Sequence, residues 1–377
     1  MLKILQGFSS KKTTREAIDE NYEQIKQSNV KYVMFFASNQ YDFDEIAIGL
    51  KRYFPNNDVV GCTTAGEISN HCLTEHSLVS FSIASDDFNV ASVLLENISE
   101  YPILYHERIT EALKTLKIDP ERVSRQKDLF GITLMDGLSA GEEKALSVIN
   151  AVLGDNNMPL VGASAGDGLD FKATKIALNG VVYSNVALIS FVKTGHQFYI
   201  YKENIFKPMG KQMVVTKADV AKRTVYELDN KPAAKCYAEK LNIREDQLSQ
   251  YFTRNPLGRR LDEKIWITSP FNINPDQSIE FYCRVLTNSV LEILEPNNPL
   301  EVIRETQSAI RENVRSIKGM LVFNCILRRL QFDKENIGKQ IIGPLCELGP
   351  VTGFSSYGEQ LDSTHLNQTM VILTLGE

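Results

Sequence analysis

One local pattern occurs three times in this chain and restricts its fold more than any other feature. It reads VVGCTTAGEI at Val59–Ile68, LVGASAGDGL at Leu160–Leu169 and PVTGFSSYGEQ at Pro350–Gln360. Each copy has an apolar, strand-like entry, a glycine, small hydroxyl or alanine residues, a second glycine and then an acid. A chain that repeats so unusual a turn has either a duplicated architecture or a shared functional site.

The residues around each turn repeat as well. An apolar, β-rich run and then a helical pattern precede every copy, and another strand-like run follows it; the third early run is GMLVFNCILR, Gly319–Arg328. About 30 residues separate the early run from the turn, the length of a strand–helix–strand crossover. The early runs lack hydrophobic alternation, so we expect strands buried on both faces. The sequence predicts an α/β fold: layered mixed sheets built from repeated strand–helix–strand–strand units, with a second, C-terminal α/β domain.

Composition excludes several classes of function. The net charge is −6, and no dense cluster of Lys and Arg provides the surface that nucleic acid requires. No apolar run approaches the roughly 18 residues of a membrane span, which argues against membrane insertion. The six cysteines are scattered without zinc-site spacing, as expected for reduced thiols in a cytosol. We therefore expect a cytoplasmic protein.

The polar residues of the turns are candidates for a ligand site, because α/β proteins place ligands at the ends of buried strands. A carboxylate beside hydroxyls and turn amides suits a polar small molecule with a cationic group, such as an amino acid. The alternative is an old duplication in which the turns are only close backbone crossings. The candidate residues are Cys62, Thr63, Thr64, Glu67, Asp136, Ser139, Ser164, Asp167, Ser355, Ser356 and Glu359.

The segment MDGLSAGEE offers an alternative from another class, a serine hydrolase. Gly137–Gly141 matches the G-x-S-x-G nucleophile elbow, with Ser139 as the nucleophile and only His196 and His365 downstream as possible bases. Ser139 and Glu142 also have the spacing of a capping box, which predicts a helix N-cap at Ser139. Both interpretations of Ser139 remain open at this stage.

His196 is the candidate ligand for a haem iron. A noncovalent haem needs one axial side chain and an apolar pocket. His196 lies in TGHQFYIYKENIF, among Phe198, Tyr199, Tyr201 and Phe206. The alternative is an ordinary packed or surface histidine.

Taken together, several motifs resemble the FIST family in content and order. They are VVGCTTAGEI, MDGLSAGEE, LVGASAGDG, PMGKQMVVTKA, VYELDNKPAAKCY and GFSSYGE followed by NQTMVILTLGE. The resemblance extends over nearly the whole chain. It implies a FIST N domain at residues 1–200, holding two copies of the repeated unit. It also implies a FIST C domain at residues 201–377, holding the middle strands, a long helix and the third copy.

The resemblance also implies a function. FIST domains are regarded as non-catalytic, ligand-sensing modules of bacterial signal transduction, with amino acids among the proposed ligands. One stand-alone branch, NosP, binds haem, senses nitric oxide and is associated with a sensor histidine kinase or a cyclic-di-GMP enzyme. The chain carries no kinase, cyclase or methyl-accepting segment, so we expect a stand-alone sensor that needs such a partner. Haem is the possible cofactor, and an amino-acid sensor without haem is the alternative.

Overall fold

The computed structural model describes residues 1–100, 105–120, 123, 127–153, 158–261 and 264–377. Within them the chain forms two compact units. The first comprises residues 1–203, 303–365 and 370–377, and the second comprises residues 204–302 and 366–369. The predicted boundary between residues 200 and 201 stays a prediction about family domains. The compact units follow a different division, because residues 303–365 join the N-terminal residues.

The first two copies of the repeated unit contain the same elements in the same order. The first consists of β1 (Lys3–Ser9), α1 (Thr14–Ile25), β2 (Val30–Ser38), α2 (Phe43–Tyr53), β3 (Asp58–Thr64), β4 (Glu67–Ser69), β5 (Cys72–Thr74) and β6 (Leu78–Ala84). The second consists of β7 (Phe88–Glu96), α3 (His106–Thr115), β8 (Leu129–Met135), α4 (Glu142–Leu153), β9 (Leu160–Ser164), β10 (Ile176–Leu178), β11 (Val181–Tyr183) and β12 (Val186–Thr194).

The third copy begins with β13 (Gln197–Asn204) and is then interrupted by the second unit. That unit contains β14 (Phe206–Asp219), β15 (Thr224–Leu228), β16 (Lys231–Pro232), α5 (Ala233–Leu241), a 3-10 helix (Glu245–Tyr251), β17 (Leu257–Leu261), β18 (Lys264–Thr268), β19 (Pro270–Ile273), β20 (Ile279–Phe281) and β21 (Val290–Pro296). The third copy resumes with α6 (Pro299–Asn313), β22 (Ile317–Cys325), α7 (Ile326–Glu335), α8 (Gly338–Cys346), β23 (Val351–Ser356), β24 (Glu359–Leu361), β25 (Thr364–Leu366) and β26 (Thr369–Gly376). The predicted α/β fold with repeated units is confirmed.

The three sheets of the first unit exchange hairpins. Their strand orders are β1-β6-β2-β3-β10-β11, β7-β12-β8-β9-β24-β25 and β13-β26-β22-β23-β4-β5. Each repeat therefore builds four strands of one sheet and gives its short hairpin to the edge of another. The chain must leave its own sheet at the small-residue turn, which explains why the three turns lie close to one another.

The first glycine of each turn allows a close crossing of two parallel strands. A Cβ at Gly61 would lie 2.5 Å from Phe35 O, and a Cβ at Gly353 would lie 1.8 Å from Val322 O. Such contacts are far inside van der Waals distance, so only glycine fits without displacing the neighbouring strand. This part of the repeated pattern is architectural.

Separate apolar cores stabilise the layers. The helices α1 and α2 cover the first sheet, where Ile18, Ile46 and Leu50 pack with Phe35 and Val59. The helices α3 and α4 cover the second sheet in the same way. The second unit has a core of its own around α5. In the described part of the chain, no helix is long and apolar enough to cross a membrane.

Two sequence predictions were wrong in detail. The helix α4 begins at Glu142, so the predicted N-cap at Ser139 is displaced. Ser139 instead lies in a turn, where its Oγ donates to Asp136 O over 3.1 Å and Ala140 has a φ of 52°. The predicted strand Gly319–Arg328 ends earlier, because its last three residues form the first turn of α7.

Candidate functional site

The three small-residue turns meet in the first unit and bond to one another through their backbones. Three hydrogen bonds join them in pairs: Ala65 N to Ser355 O (3.0 Å), Gly166 N to Thr63 O (3.0 Å) and Ser164 N to Gly358 O (2.8 Å). The exchange of hairpins between sheets produces this arrangement. The turns therefore converge, which the sequence left open.

The first and third turns hold their acid in the same way. Thr64 Oγ1 donates to Glu67 Oε1 over 2.5 Å, and Ser356 Oγ donates to Glu359 Oε1 over 2.6 Å. All four side chains are buried. The hydroxyl three residues before the acid is thus a hydrogen-bond donor to it, which stabilises the turn.

The acid of the second turn has a different role. Asp167 accepts a 2.5 Å hydrogen bond from Tyr357 OH and further bonds from the amides of Phe171, Lys172 and Ala173. Burial opposes ionisation of Asp167, but these donors outweigh it and lower the pKa of the carboxyl below its ordinary value. Asp167 is therefore a carboxylate, and its hydrogen bonds hold the loop after the second turn in place.

Other predicted site residues also fix the backbone. Asp136 Oδ1 accepts from Thr174 Oγ1 over 2.6 Å and from Leu138 N over 2.9 Å. Thr63 Oγ1 accepts from Lys175 N over 3.0 Å. Two of these donors, Thr174 and Lys175, come from the loop that leaves the second turn, so Asp136 and Thr63 stabilise the crossing itself.

Three further candidates are buried. Cys62 lies inside its sheet, and burial raises the pKa of its thiol well above the ordinary value, so it stays protonated. Ser164 Oγ accepts from Gln360 Nε2 over 3.0 Å. Ser355 Oγ is buried without a hydrogen-bond partner among the described residues. None of these three lines the cavity described next.

A polar cavity of about 330 Å³ opens beside the first turn. It takes residues from all three repeats: the end of β2 and the first turn, the loop after the second turn, and one side of α7. The lining residues are Ser38, Asn39, Gln40, Thr64, Ala65, Gly66, Glu67, Glu75, His76, Gly168, Leu169, Asp170, Ile326, Arg329, Leu330 and Asp333. Of the predicted site residues, only Thr64 and Glu67 belong to it.

Glu67 is a titratable residue in the wall of the cavity. Its carboxylate is buried and accepts from Thr64 Oγ1, from Ser77 N over 3.1 Å and from Ser77 Oγ over 2.6 Å. Burial raises the pKa of Glu67 to about 7, while these hydrogen bonds and the positive charge of Arg329 limit the rise. Glu67 therefore exchanges a proton near neutral pH, which suits a group that responds to a bound charge.

The sequence analysis missed Arg329, the arginine of this cavity. Its guanidinium donates to Asp333 over 2.9 Å and to Thr74 O over 3.2 Å, and it lies 3.4 Å from Glu75 Oε1. It also lies against Gly66, where a Cβ would be 2.5 Å from Arg329 Nη1. Arg329 was missed because the predicted strand extended too far into α7. The two consecutive arginines, Arg328 and Arg329, are the sequence feature that could have identified it.

Family models match most of the chain. A FIST N domain model matches residues 31–231, and a FIST C domain model matches residues 233–362. The chain belongs to the FIST family. FIST domains are associated with small-ligand sensing in signal transduction, and the polar cavity beside the first turn agrees with that role.

Other proteins resemble this FIST protein more distantly. An uncharacterized protein of Methanocaldococcus jannaschii is 23% identical over 335 residues, which are 85% of this chain and 63% of that protein. The chain thus spans less than two thirds of that relative. A cyanuric acid hydrolase from A. caulinodans has a TM-score of 0.36 at 6% identity, with both chains fully covered. PurLQS from Thermotoga maritima has a TM-score of 0.21 at 10% identity, covering all of this chain and 72% of the other.

In this FIST protein Ser139 lies in the segment between β8 and α4. Its hydroxyl donates to Asp136 O, a carbonyl of its own turn. Of the downstream histidines, His365 is buried and bonds Gln360, and His196 bonds Ser85. The serine-hydrolase alternative at Ser139 stays a prediction.

The surroundings of His196 do not fit a haem as they stand. His196 lies between β12 and β13 with its Nε2 atom 2.7 Å from Ser85 Oγ, so the nitrogen that would face iron is already hydrogen-bonded. Phe198 packs on Phe130, with ring centroids 4.6 Å apart. The cavity at the first turn does not include His196. Haem at His196 stays a prediction. Among the described residues, no group of three or more His, Cys, Asp or Glu could hold a metal ion.

Proposed function

We propose that this chain is a sensory protein of signal transduction, and that its ligand is a small polar molecule with an ammonium group. The amino acids are the class that fits. The main observation that supports this proposal is the buried carboxyl of Glu67, which lies in the wall of a polar cavity that all three repeats share. A nearby cation strongly stabilises the ionised form of a buried carboxyl, because the low dielectric strengthens the attraction between the two charges.

The charges of the cavity support a cationic group. Its acids are Glu67, Glu75, Asp170 and Asp333, while Arg329 is the arginine. Arg329 already bonds Asp333 and lies beside Glu75, so those two acids offset it. Glu67 remains to attract an ammonium group, whereas Asp170 lies 3.9 Å from Lys172 Nζ.

The opposite end of an amino acid also finds partners in the same cavity. The guanidinium of Arg329 and the side-chain amide of Gln40 are donors suited to a carboxylate. Asp170 is exposed at the rim. A zwitterion therefore meets both charge signs, whereas a simple anion meets an excess of acids.

A sensor must couple this binding to a change of state. The cavity joins β2 and the first turn to the loop after the second turn and to α7, so a ligand that contacts all three favours one arrangement of them. We propose that a sensor histidine kinase or a cyclic-di-GMP enzyme reads this arrangement. A typical coupling of about 1–3 kcal/mol is sufficient for such a switch.

The cytoplasm is the compartment we propose. All six cysteines are free thiols. Free thiols persist where glutathione and thioredoxin keep them reduced. This supports a reducing compartment and agrees with a partner kinase domain on the cytoplasmic side.

A calorimetric titration with the twenty amino acids tests the ligand, each compared with its decarboxylated amine and its deaminated acid. We expect at least one amino acid to bind and its deaminated acid to fail. The Glu67→Gln variant should bind about tenfold more weakly, since removing a charge partner costs about 1.4 kcal/mol or more. Glu359→Gln is the matched control, because Glu359 is bonded by its turn hydroxyl in the same way but lies outside the cavity lining.

Two results would contradict the proposal. One is an equal amino-acid affinity of the wild type, the Glu67→Gln variant and the Glu359→Gln variant. The other is selective binding of the deaminated acids. The partner is tested separately, by measuring autophosphorylation of purified sensor histidine kinases with the chain in its free and amino-acid-bound forms. The proposed partner would be contradicted if the free and the amino-acid-bound chain gave the same autophosphorylation rate for every kinase. The same comparison applies to the rate of cyclic-di-GMP turnover by cyclic-di-GMP enzymes.

A further inference from the structure

Two of the six cysteines are partly exposed, and the fold packs the segments that carry them, β5 and α8, against each other. Cys72 and Cys346 are half-buried, whereas Cys62, Cys236, Cys283 and Cys325 are buried. All six lie in the described part of the chain. Cys72 begins β5, and Cys346 ends α8, far away in the sequence. The contact between these two elements therefore comes from the tertiary structure alone.

Two contacts join α8 to the β4–β5 hairpin. Cys346 Sγ lies 3.8 Å from Ser69 O, and Ser69 is the cross-strand partner of Cys72 in the β4–β5 hairpin. Partners in a narrow antiparallel pair have Cα atoms about 5.5 Å apart. At the other end of α8, Leu73 packs against Gly338, where a Cβ would be 2.8 Å from Leu73 Cδ1. Cys346 therefore packs against the hairpin that carries Cys72, next to the strand partner of Cys72.

The charges agree with this placement. Burial raises the pKa of Cys346 to about 11, and the negative charge of a Cys72 thiolate contributes to the rise. Cys346 therefore remains a thiol at neutral pH.

Cys72 is also accessible to small oxidants. It lines a cavity of about 380 Å³, together with residues of the β4–β5 turn and of the segment from α7 to α8. His71 and Lys339 stand in the same lining. A molecule of the size of hydrogen peroxide can enter a space of this volume.

We propose that Cys72 and Cys346 are a redox-sensitive thiol pair that a hydroperoxide converts to a disulfide. The Cys72 thiolate attacks one peroxide oxygen, the O–O bond breaks, and water leaves after protonation, so that Cys72 becomes a sulfenic acid. Cys346 then attacks the Cys72 sulfur, its thiol proton passes to the departing hydroxyl group, the S–O bond breaks, and a second water leaves. In total two thiols and one hydrogen peroxide give one disulfide and two waters, and both electrons pass to the peroxide.

The disulfide would act on the ligand cavity through the hairpin. The β4–β5 hairpin carries Glu67, and Arg329 Nη1 donates to Thr74 O on the same hairpin. Asp333 lines both cavities. A disulfide requires the two sulfur atoms at about 2.05 Å, so it draws the hairpin tip toward α8. This consequence rests on the proposed function, and we expect the oxidised chain to bind its amino acid about threefold or more weakly.

Peroxide titration of the full chain tests the pair. The chain is treated with graded hydrogen peroxide, its remaining thiols are alkylated after unfolding, and its peptides are identified by mass spectrometry. We expect the loss of two alkylated thiols and a disulfide-linked peptide that contains Cys72 and Cys346, restored by dithiothreitol. Sulfinic acid at Cys72 without a linked peptide, or a Cys72 that stays fully alkylatable, overturns the proposal.

Three variants make the result specific. Cys72→Ser and Cys346→Ser should each abolish the linked peptide, and Cys236→Ser should leave it unchanged. The oxidised and reduced wild-type chains provide the same comparison without any substitution. The disulfide is read by mass and the ligand effect by calorimetry. A linked peptide with unchanged amino-acid binding therefore removes only the regulatory step, and absent amino-acid binding in the reduced chain contradicts the proposed function instead.

Discussion

Thr64 Oγ1 donates a 2.5 Å hydrogen bond to Glu67 Oε1, and the two residues stand at the beginning and the end of one turn. Ser356 and Glu359 repeat the arrangement at 2.6 Å in the third turn. Yet only the first pair lines the polar cavity, because Arg329 and its neighbours on α7 stand beside that turn. The same local chemistry thus serves as a structural turn in one place and as a candidate ligand site in another.

The buried Glu67 should make the protein less stable as the pH rises from about 4.5 to about 7. Below this window the carboxyl is protonated in both states. Within it, the unfolded chain loses the proton at its ordinary pKa of 4.5, while the folded chain keeps it to about 7. The unfolded state then binds fewer protons, so the free energy of unfolding falls with pH, by roughly 3 kcal/mol at most.

Urea unfolding at pH 5 and pH 8 measures this effect. The Glu67→Gln variant should lose most of that difference, and Glu107→Gln, an exposed acid on α3, should retain it. The interpretation fails if Glu67→Gln keeps the full difference between the two pH values.

Gly353→Ala should strongly destabilise the fold. Its Cβ would lie 1.8 Å from Val322 O on the neighbouring parallel strand, so β22 and β23 would have to separate. We expect a loss of about 3 kcal/mol or more. Gly343→Ala is the matched control: no heavy atom lies within 4 Å of its Cβ position, and α8 should gain about 0.5–1 kcal/mol. Thermal unfolding of both variants decides the matter, and similar melting temperatures would refute the close-crossing argument.

Glu203→Ala should also be costly. Glu203 pairs with Arg328 and accepts from Thr306 Oγ1 over 2.6 Å, and both charged side chains are buried. Removal of the acid leaves a buried guanidinium without its carboxylate, at a cost of about 3–5 kcal/mol. Asp44→Ala, which breaks an exposed 2.8 Å ion pair with Lys175, should change the free energy of unfolding very little. Chemical denaturation compares the two, and equal effects would show that burial of the pair is unimportant.

Haem binding through His196 is tested by the absorption spectrum of the chain purified after expression with a haem supply. The family resemblance predicts a Soret band that shifts with nitric oxide and disappears in His196→Ala. The 2.7 Å contact between His196 and Ser85 predicts that iron ligation requires this hydrogen bond to break, so Ser85→Ala should bind haem at least as well. A colourless chain that takes up no added haem would remove this prediction, and a Soret band retained in His196→Ala would assign the ligand elsewhere.

The repeated pattern allowed the architecture to be predicted because it reflects local physics. The glycine at positions such as Gly353 is required where two parallel strands nearly touch, and continuous apolar runs are required where a strand is buried on both faces. Helix boundaries were less certain. Ser139 carries a capping signal, but the turn that bonds it to Asp136 delays the helix until Glu142.

The candidate site was predictable only in part. Thr64 and Glu67 belong to a recognisable turn, so local pattern was enough to select them. Arg329 and His76 come from other elements, and no local pattern joins them to Glu67. Arg329 in particular followed an apolar run that was read as strand, and the arginine was therefore assigned no role.

The sequence by itself determined the three strand–helix–strand units, their turns and the family to which the chain belongs, because each depends on residues close together in the chain. Only the tertiary structure decided which turn borders a cavity and which cysteine packs against the hairpin of Cys72. Those outcomes follow from the exchange of hairpins between sheets, which brings α7 beside Glu67 and Cys346 beside the hairpin of Cys72. Contacts of that kind join residues hundreds of positions apart, and only the packing of whole layers selects them.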